Sequence, residues 1–106
     1  MKIGIVTSTI NPEEVWGAFR FANSALRGNH TVKVFLVKRG VEAEDIESER
    51  FSAKEAMKNF LGNKGELLAC GTCMKARQKE SSDFCPIGTL SDILQIVEFD
   101  KLLTFG

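Results

Sequence analysis

Apolar and polar positions follow two rhythms along this chain, with β-type runs separated by stretches of helical period. Lys2 to Thr7 is a short β-branched run and predicts a buried strand. Asn11-Pro12-Glu13-Glu14 predicts a helix start. Asn11 can cap, Pro12 has no amide hydrogen to leave unpaired, and the two acids suit the positive helix end. Val15, Trp16, Phe19, Ala22, Ala25 and Leu26 follow at helical spacing until Gly28. Thr31 to Val37 is the clearest strand. Val41 to Glu49 is acidic and weakly patterned, which predicts a loop with one helical turn. Ser52 and Glu55 form a capping-box pair ahead of Ala53, Ala56, Met57, Phe60 and Leu61, the apolar face of a second helix.

After the turn at Gly62-Asn63-Lys64-Gly65, Glu66 to Cys70 predicts a third strand, and Thr72 to about Lys79 a helix directly behind it. Ser82 to Cys85 is a candidate short fourth strand. Thr89-Leu90-Ser91-Asp92 resembles a capping box, and Leu90, Ile93, Leu94 and Val97 are the expected buried face of a last helix. Lys101 to Phe105 is the final strand. Strands joined through helices imply crossover connections and a mostly parallel sheet covered on both faces. The expected fold is therefore α/β, a three-layer α/β/α sandwich of about five strands, with residues 1–106 as one domain.

Composition narrows the function. Lys plus Arg number 14 and Asp plus Glu also number 14, so no long-range charge draws the chain to nucleic acid or an anionic membrane. No apolar stretch approaches the length of a bilayer span, and the apolar run at Ile3 to Val6 is too short for a signal peptide. A cytoplasmic protein without nucleic-acid or membrane partners is expected. There are three cysteines, two of them in Cys70-Gly71-Thr72-Cys73. In a reducing compartment that pattern favours reactive or metal-binding thiols over structural disulfides.

The cysteine loop falls where a strand meets a helix, at the sheet edge where α/β proteins gather ligands. Gly71 allows a sharp turn and a close approach of the backbone to a bound group. The helix amides, the helix dipole and the cations of Lys75 and Arg77 would all favour the thiolate of Cys70, which is the nucleophilic form. Cys73, in the first turn, is spaced to resolve a persulfide or disulfide on Cys70. Cys85 is a possible third member. A lone buried cysteine is usually a small hydrophobe, whereas a Cys-x-x-Cys pair at a strand-to-helix turn is less often incidental.

Three chemistries compete for this loop: sulfur transfer through a persulfide, thioredoxin-like dithiol exchange, and metal binding. Dithiol exchange fits poorly, because Ala69 precedes Cys70 and the chain has only Pro12 and Pro86 to supply a facing cis-proline. A Cys3His zinc set of Cys70, Cys73, Cys85 and His30 exists on paper. His30, however, precedes the second strand and belongs at the opposite, amino edge, so no metal is assigned. No cofactor is assigned either. Thr7-Ser8-Thr9, at the edge expected for Cys70, could hold a phosphate as flavodoxin-type sites do, but turning the chain is the simpler role for these hydroxyls. Lys38 and Arg39 share that edge, next to the acidic run Glu42, Glu44, Asp45, Glu47 and Glu49, which is either a solvated loop or a docking surface. No Ser-His-Asp set, Gly-x-Gly-x-x-Gly or Walker pattern is present.

The stretch Leu67-Leu68-Ala69-Cys70-Gly71-Thr72-Cys73-Met74-Lys75-Ala76-Arg77 resembles the DsrE/DsrF-like family. Gly40-Val41-Glu42 is similar to a family segment. So are Ile87 to Ile93 and Asp100 to Phe105, which match the family's ending. The resemblance implies a flavodoxin-like fold, trimeric or hexameric assemblies, and intracellular sulfur relay between a protein donor and a protein acceptor. It matches Cys70 to the persulfide-accepting cysteine and gives Gly71, Thr72 and Arg77 supporting roles, while Cys73 falls outside the pattern of better-studied members. The family's frequent Arg-Gly after the short helix is Arg77-Gln78 here. The leading expectation is a sulfur carrier using Cys70, with Cys73 to discharge it. The rival is a redox-sensing or metal-binding interaction subunit using the same pair.

Overall fold

The computed structural model describes residues 1–82 and 86–106. Its elements run β1 (Lys2–Thr7), α1 (Pro12–Arg27), β2 (Thr31–Leu36), a 3-10 segment (Lys38–Asp45), α2 (Ala53–Gly62), β3 (Glu66–Cys70), α3 (Gly71–Ala76), β4 (Ile87–Gly88), α4 (Leu90–Val97) and β5 (Lys101–Phe105). The five strands form one sheet in the order β4-β3-β2-β1-β5, every pair parallel. The chain steps outward from β1 to β4, then crosses back to place β5 on the other side of β1. Right-handed crossovers therefore put α1, α2 and α3 on one face and α4 on the other. This is the flavodoxin-like three-layer sandwich expected from the sequence.

The two faces are covered unequally. Ile3, Ile5, Val32, Val34, Leu36 and Leu67 share one face by register and alternation, and all are buried under α1 and α2. There Phe19 of α1 meets Phe60 of α2 edge-on, with centroids 5.5 Å apart. The opposite face carries Gly4, Val6, Lys33, Phe35, Leu68 and Gly88, and α4 packs across β1 and β5 on it. Gly4 makes that contact possible, since a Cβ there would run into the Ile96 side chain.

The sequence expectation for α4 is corrected by this packing. Ile96 is the fully buried residue and Ile93 is half-buried, while Leu90, Leu94 and Val97 are exposed. Apolar residues at 90, 93, 94, 96 and 97 form a band nearly half the circumference of this short helix, wide enough to hold two adjacent stripes, and the sheet takes the Ile93/Ile96 one. At its start Asp92 reaches back to accept hydrogen bonds from the Thr89 backbone N–H at 2.7 Å and the Thr89 hydroxyl at 3.0 Å. These bonds, the backbone one first, hold the Asp92 carboxyl below its usual range, with a smaller contribution from the Lys33 charge.

Other boundaries move for local reasons. The helix expected from Thr72 to Lys79 stops at Ala76, where Gln78 turns left-handed (φ 54°) and Lys79 N–H bonds back to the Met74 carbonyl. The same closure ends α1 at Asn29 and α2 at Lys64, so all three helices terminate without glycine at the left-handed position. The acidic loop expected from Val41 begins earlier, as a 3-10 segment from Lys38. Ser52 stands at the N-cap of α2, but its hydroxyl lies 3.5 Å from Glu55 Oε2 and caps no backbone amide. The candidate strand at Ser82 to Cys85 falls mostly outside the described residues, and the edge strand is Ile87–Gly88.

Gly4→Ala should lower stability by about 1–3 kcal/mol through overpacking against Ile96. Urea midpoints for Gly4→Ala, Ile96→Ala and the double variant test this. The double variant should lose clearly less than the sum of the singles, and strict additivity would exclude the contact as the cause.

Candidate functional site

All five strands end at one edge, and Cys70 closes the third. It is the last residue of β3 and also the N-cap of α3, with extended backbone (φ −61°, ψ 117°). Its register partner is Gly88, and by alternation its side chain belongs to the thinly covered α4 face with Phe35 and Leu68. Cys70 is only 8% exposed, yet it lines a cleft of about 330 Å³ with Thr72, Lys75, Ile87, Thr89 and Leu90. Cys73 is half-buried against the core, and both cysteines are free thiols.

Glycines shape this cleft by lacking a side chain. A Cβ on Gly88 would run into the Phe35 ring and Leu68, and one on Gly71 would press on Ile87. Gly71 is an ordinary helical residue, so its role is close packing against β4 and not the sharp turn expected from the sequence. Gly40 has the same kind of role one strand away: a Cβ there would strike the Thr7 carbonyl, so the 3-10 segment lies directly over the end of β1.

The two cations expected to aid Cys70 separate. Lys75 lines the cleft. Arg77 turns away, donating from Nη1 to the Cys73 carbonyl at 3.2 Å and pairing its Nε with Glu42 at 3.6 Å. Beyond it, Lys79 Nζ binds Glu44 Oε1 at 2.6 Å and Asp45 at 3.1 Å. Sequence reading missed this clamp, although the acidic run and the basic stretch after Cys73 were both visible. The clamp uses Glu42, Glu44 and Asp45 to tie the 3-10 segment to the chain leaving α3. Burial alone would push the Lys79 ammonium down, but its hydrogen bonds to Glu44 and Asp45, and their charges, outweigh this and hold it above the ordinary lysine value.

The remaining candidates lie elsewhere. His30 is at the amino edge, 3.0 Å from the terminal amine of Met1, and does not join Cys70 and Cys73. Cys85 lies outside the described residues. The hydroxyls after β1 are engaged in turning the chain: Ser8 donates to the Gly106 carbonyl at 2.9 Å and Thr9 accepts from the Asn11 amide at 2.9 Å. A shallow cleft beside them includes Glu14 and Arg39.

A doubly wound parallel sheet with a cysteine at the carboxyl end of its third strand, opening on a cleft beneath a short helix, defines the class of this molecule. The chain belongs to the DsrE/DsrF-like family, whose model matches residues 1–105. It is 31% identical over 108 residues to an uncharacterised protein of Methanocaldococcus jannaschii, with 95% of each chain covered. It is also 31% identical over 100 residues to an uncharacterised protein of Methanopyrus kandleri, covering 88% of this chain and 83% of that one. In fold it is similar to the crystal structure of the ychN protein from E. coli, with a TM-score of 0.87, 24% identity and 99% of both chains covered.

Lys79 and Glu44 are only 15% and 14% exposed, so Lys79→Gln should cost about 1–3 kcal/mol by leaving Glu44 with a weaker partner. Because the folded Lys79 pKa is raised, this contribution is complete below the unfolded lysine value of about 10.4 and fades as pH climbs through the folded value. The stability gap between wild type and Lys79→Gln should stay constant from neutral pH to about 10 and close above it. A gap unchanged in strong alkali would show that the ion pair is not its source.

Proposed function

We propose that this chain is a sulfur-relay protein that carries sulfane sulfur as a persulfide on Cys70. The observation that carries the reading is the position of Cys70, at the end of β3 and in front of α3, in the cleft lined by Lys75 and Leu90. Membership of the DsrE/DsrF-like family supports a role of sulfur-relay type.

The chemistry is thiol exchange. The Cys70 thiolate attacks the outer sulfur of a donor protein's persulfide. The donor S–S bond breaks, a Cys70–S–S bond forms, and the donor leaves as a thiolate with its electron pair. An acceptor thiolate then takes the outer sulfur by the same step, returning Cys70 as thiolate. Cys73 gives a second exit: its thiolate attacks Cys70 sulfur, forming a Cys70–Cys73 disulfide and releasing hydrosulfide, after which a dithiol reductant restores both thiols. Each step needs reduced cysteines at rest, which fits an intracellular, cytoplasmic setting. Lys75 is the cation placed to balance the charge of the persulfide, and Thr72 and Gly71 form the cleft's helix side.

The same reading includes a homo-oligomer of trimeric or hexameric type. Leu90, Leu94 and Val97 of α4 are 71%, 66% and 54% exposed, and Ile87 is 55% exposed beside the cleft. Contiguous apolar residues of this size are ordinarily covered by another molecule. A second copy against this stripe would wall the cleft on the Ile87 and Leu90 side.

Incubation with a persulfide donor should add the mass of one sulfur atom to the intact chain, on the peptide containing Cys70. Cys70→Ser should abolish the adduct, and Cys73→Ser should prolong it. An adduct that survives in Cys70→Ser, or stoichiometric zinc lost in Cys73→Ser, would replace relay with another use of the pair. Separately, Leu94→Glu should shift the sedimentation coefficient of the assembly to that of a monomer. An unchanged coefficient would remove α4 from the contact.

A further inference from the structure

The sheet is open at both sides, and its two edge strands differ. β4 is two residues long, whereas β5 runs for five residues with no proline or glycine inside it. Edge strands are ordinarily kept apart by proline, bulges or charge, and the only charge on β5 is Lys101 at its start. The Ser8 N–H donates to the Phe105 carbonyl at 3.0 Å, so Phe105 turns its backbone groups toward β1. By alternation the N–H and C=O groups of Leu102 and Thr104 point outward, where no further strand follows. The Leu102 side chain is itself 42% exposed.

α1 borders this open edge. Val15, Phe19 and Ala22 face the sheet, and Trp16, Arg20 and Asn23 form the flank toward α2. At about 100° per residue the opposite flank, on the β5 side, is Gly17, Phe21 and Ser24, and it carries no charge. Phe21 is 44% exposed. A Cβ on Gly17 would meet nothing, so nothing within one chain requires glycine there, although glycine weakens the interior of a helix.

Edge and flank are complementary to themselves. Two β5 strands set antiparallel about Leu103 bring Leu102 of each opposite Thr104 of the other, and each such pair exchanges both of its N–H···O bonds. Lys101 then lies opposite Phe105, and no like charges meet. α1 runs back from the carboxyl to the amino end of the sheet, so the point midway between Gly17 and Phe21 is level with the middle of the strands. The same two-fold axis therefore sets Phe21 of each copy over Gly17 of the other. With α1 about 24 Å long and layers about 10 Å apart, the contact covers on the order of 500 Å² per copy, enough to be specific but weak. We infer that β5 and the Gly17–Phe21 flank of α1 dock on a second copy of this chain, joining the two sheets edge to edge. The contact is separate from the exposed stripe of α4 and does not depend on how Cys70 is used.

The test uses the full chain carrying Leu94→Glu, which keeps α4 out of the measurement, at low and high concentration. Amide exchange is read residue by residue by NMR, and association by sedimentation. Raising the concentration should convert monomer to dimer and slow exchange at Leu102 and Thr104 by about tenfold or more. Phe21→Lys and Gly17→Leu should each weaken association about tenfold. Gly17→Leu should leave the urea midpoint of the monomer unchanged or higher, which separates lost docking from lost folding. Exchange at Leu102 and Thr104 that is equally fast at every concentration, or association indifferent to both variants, would overturn the inference.

Discussion

A parallel sheet presents two apolar faces to water, and this chain has helices enough to close only one of them fully. α1 and α2 bury one face with large residues in contact, Phe19 against Phe60 above Ile5, Val34 and Leu36. The other face receives α4, eight residues long, seated through the Gly4–Ile96 contact. Most other features of the molecule follow from that shortage. The exposed stripe of α4 is the surplus apolar surface of a helix that must be hydrophobic toward the sheet and has a further apolar side to cover. The cleft at Cys70 is the space left where α3 and α4 both begin, on the side with least cover.

Charge is balanced in total but not in placement. The acidic 3-10 segment and the basic stretch after Cys73 are far apart in sequence, and the fold brings them together at Glu42–Arg77 and Glu44–Lys79. Exposed ion pairs add little, but Lys79 and Glu44 are mostly withdrawn from water, and Arg77 is at once a carboxylate partner and a donor to the Cys73 carbonyl. The clamp thus acts on the backbone of the cysteine helix. It fixes where α3 ends, which a helix of six residues could not do by its own hydrogen bonds.

Much of this architecture was readable from residue order, for physical reasons specific to each element. β1, β3 and β5 fall at their expected bounds because β-branched or apolar runs end in hydroxyls or a glycine. α1 begins as expected because Asn11 and Pro12 each solve a problem of the helix start, and Asn11 Oδ1 does accept from the Glu14 amide at 3.1 Å. What escaped was whatever depends on a third dimension. Periodicity could not choose between two apolar stripes on α4. Nor could local propensity foresee that Gln78 takes the left-handed turn for which glycine is the easy residue, a turn held by Lys79 through its amide and by the clamp through its side chain. Cys70 was placed at its strand end by sequence, but the wall formed by Ile87, Thr89 and Leu90 comes from a crossover that brings the start of α4 back beside β3.

The near burial of Cys70 bears on which chemistry suits it. A thiol open to bulk water meets any oxidant or disulfide that diffuses past, and a persulfide there would be exposed to the same competitors. At 8% exposure, Cys70 lies in a cleft with Lys75 and Leu90 among its lining residues. In the proposed relay, a donor would have to present its outer sulfur on a thin, extended arm, because globular surfaces cannot enter a cleft of about 330 Å³. That restriction disfavours exchange with folded disulfides more than it disfavours transfer of a single sulfur atom, since the persulfide sulfur is the foremost atom of such an arm. Under the same proposal, a molecule covering the apolar rim at Ile87 and Leu90 would tighten the restriction by excluding water from the bound sulfur. Burial, which would argue against a general redox thiol, is therefore compatible with one that holds sulfur between two protein partners.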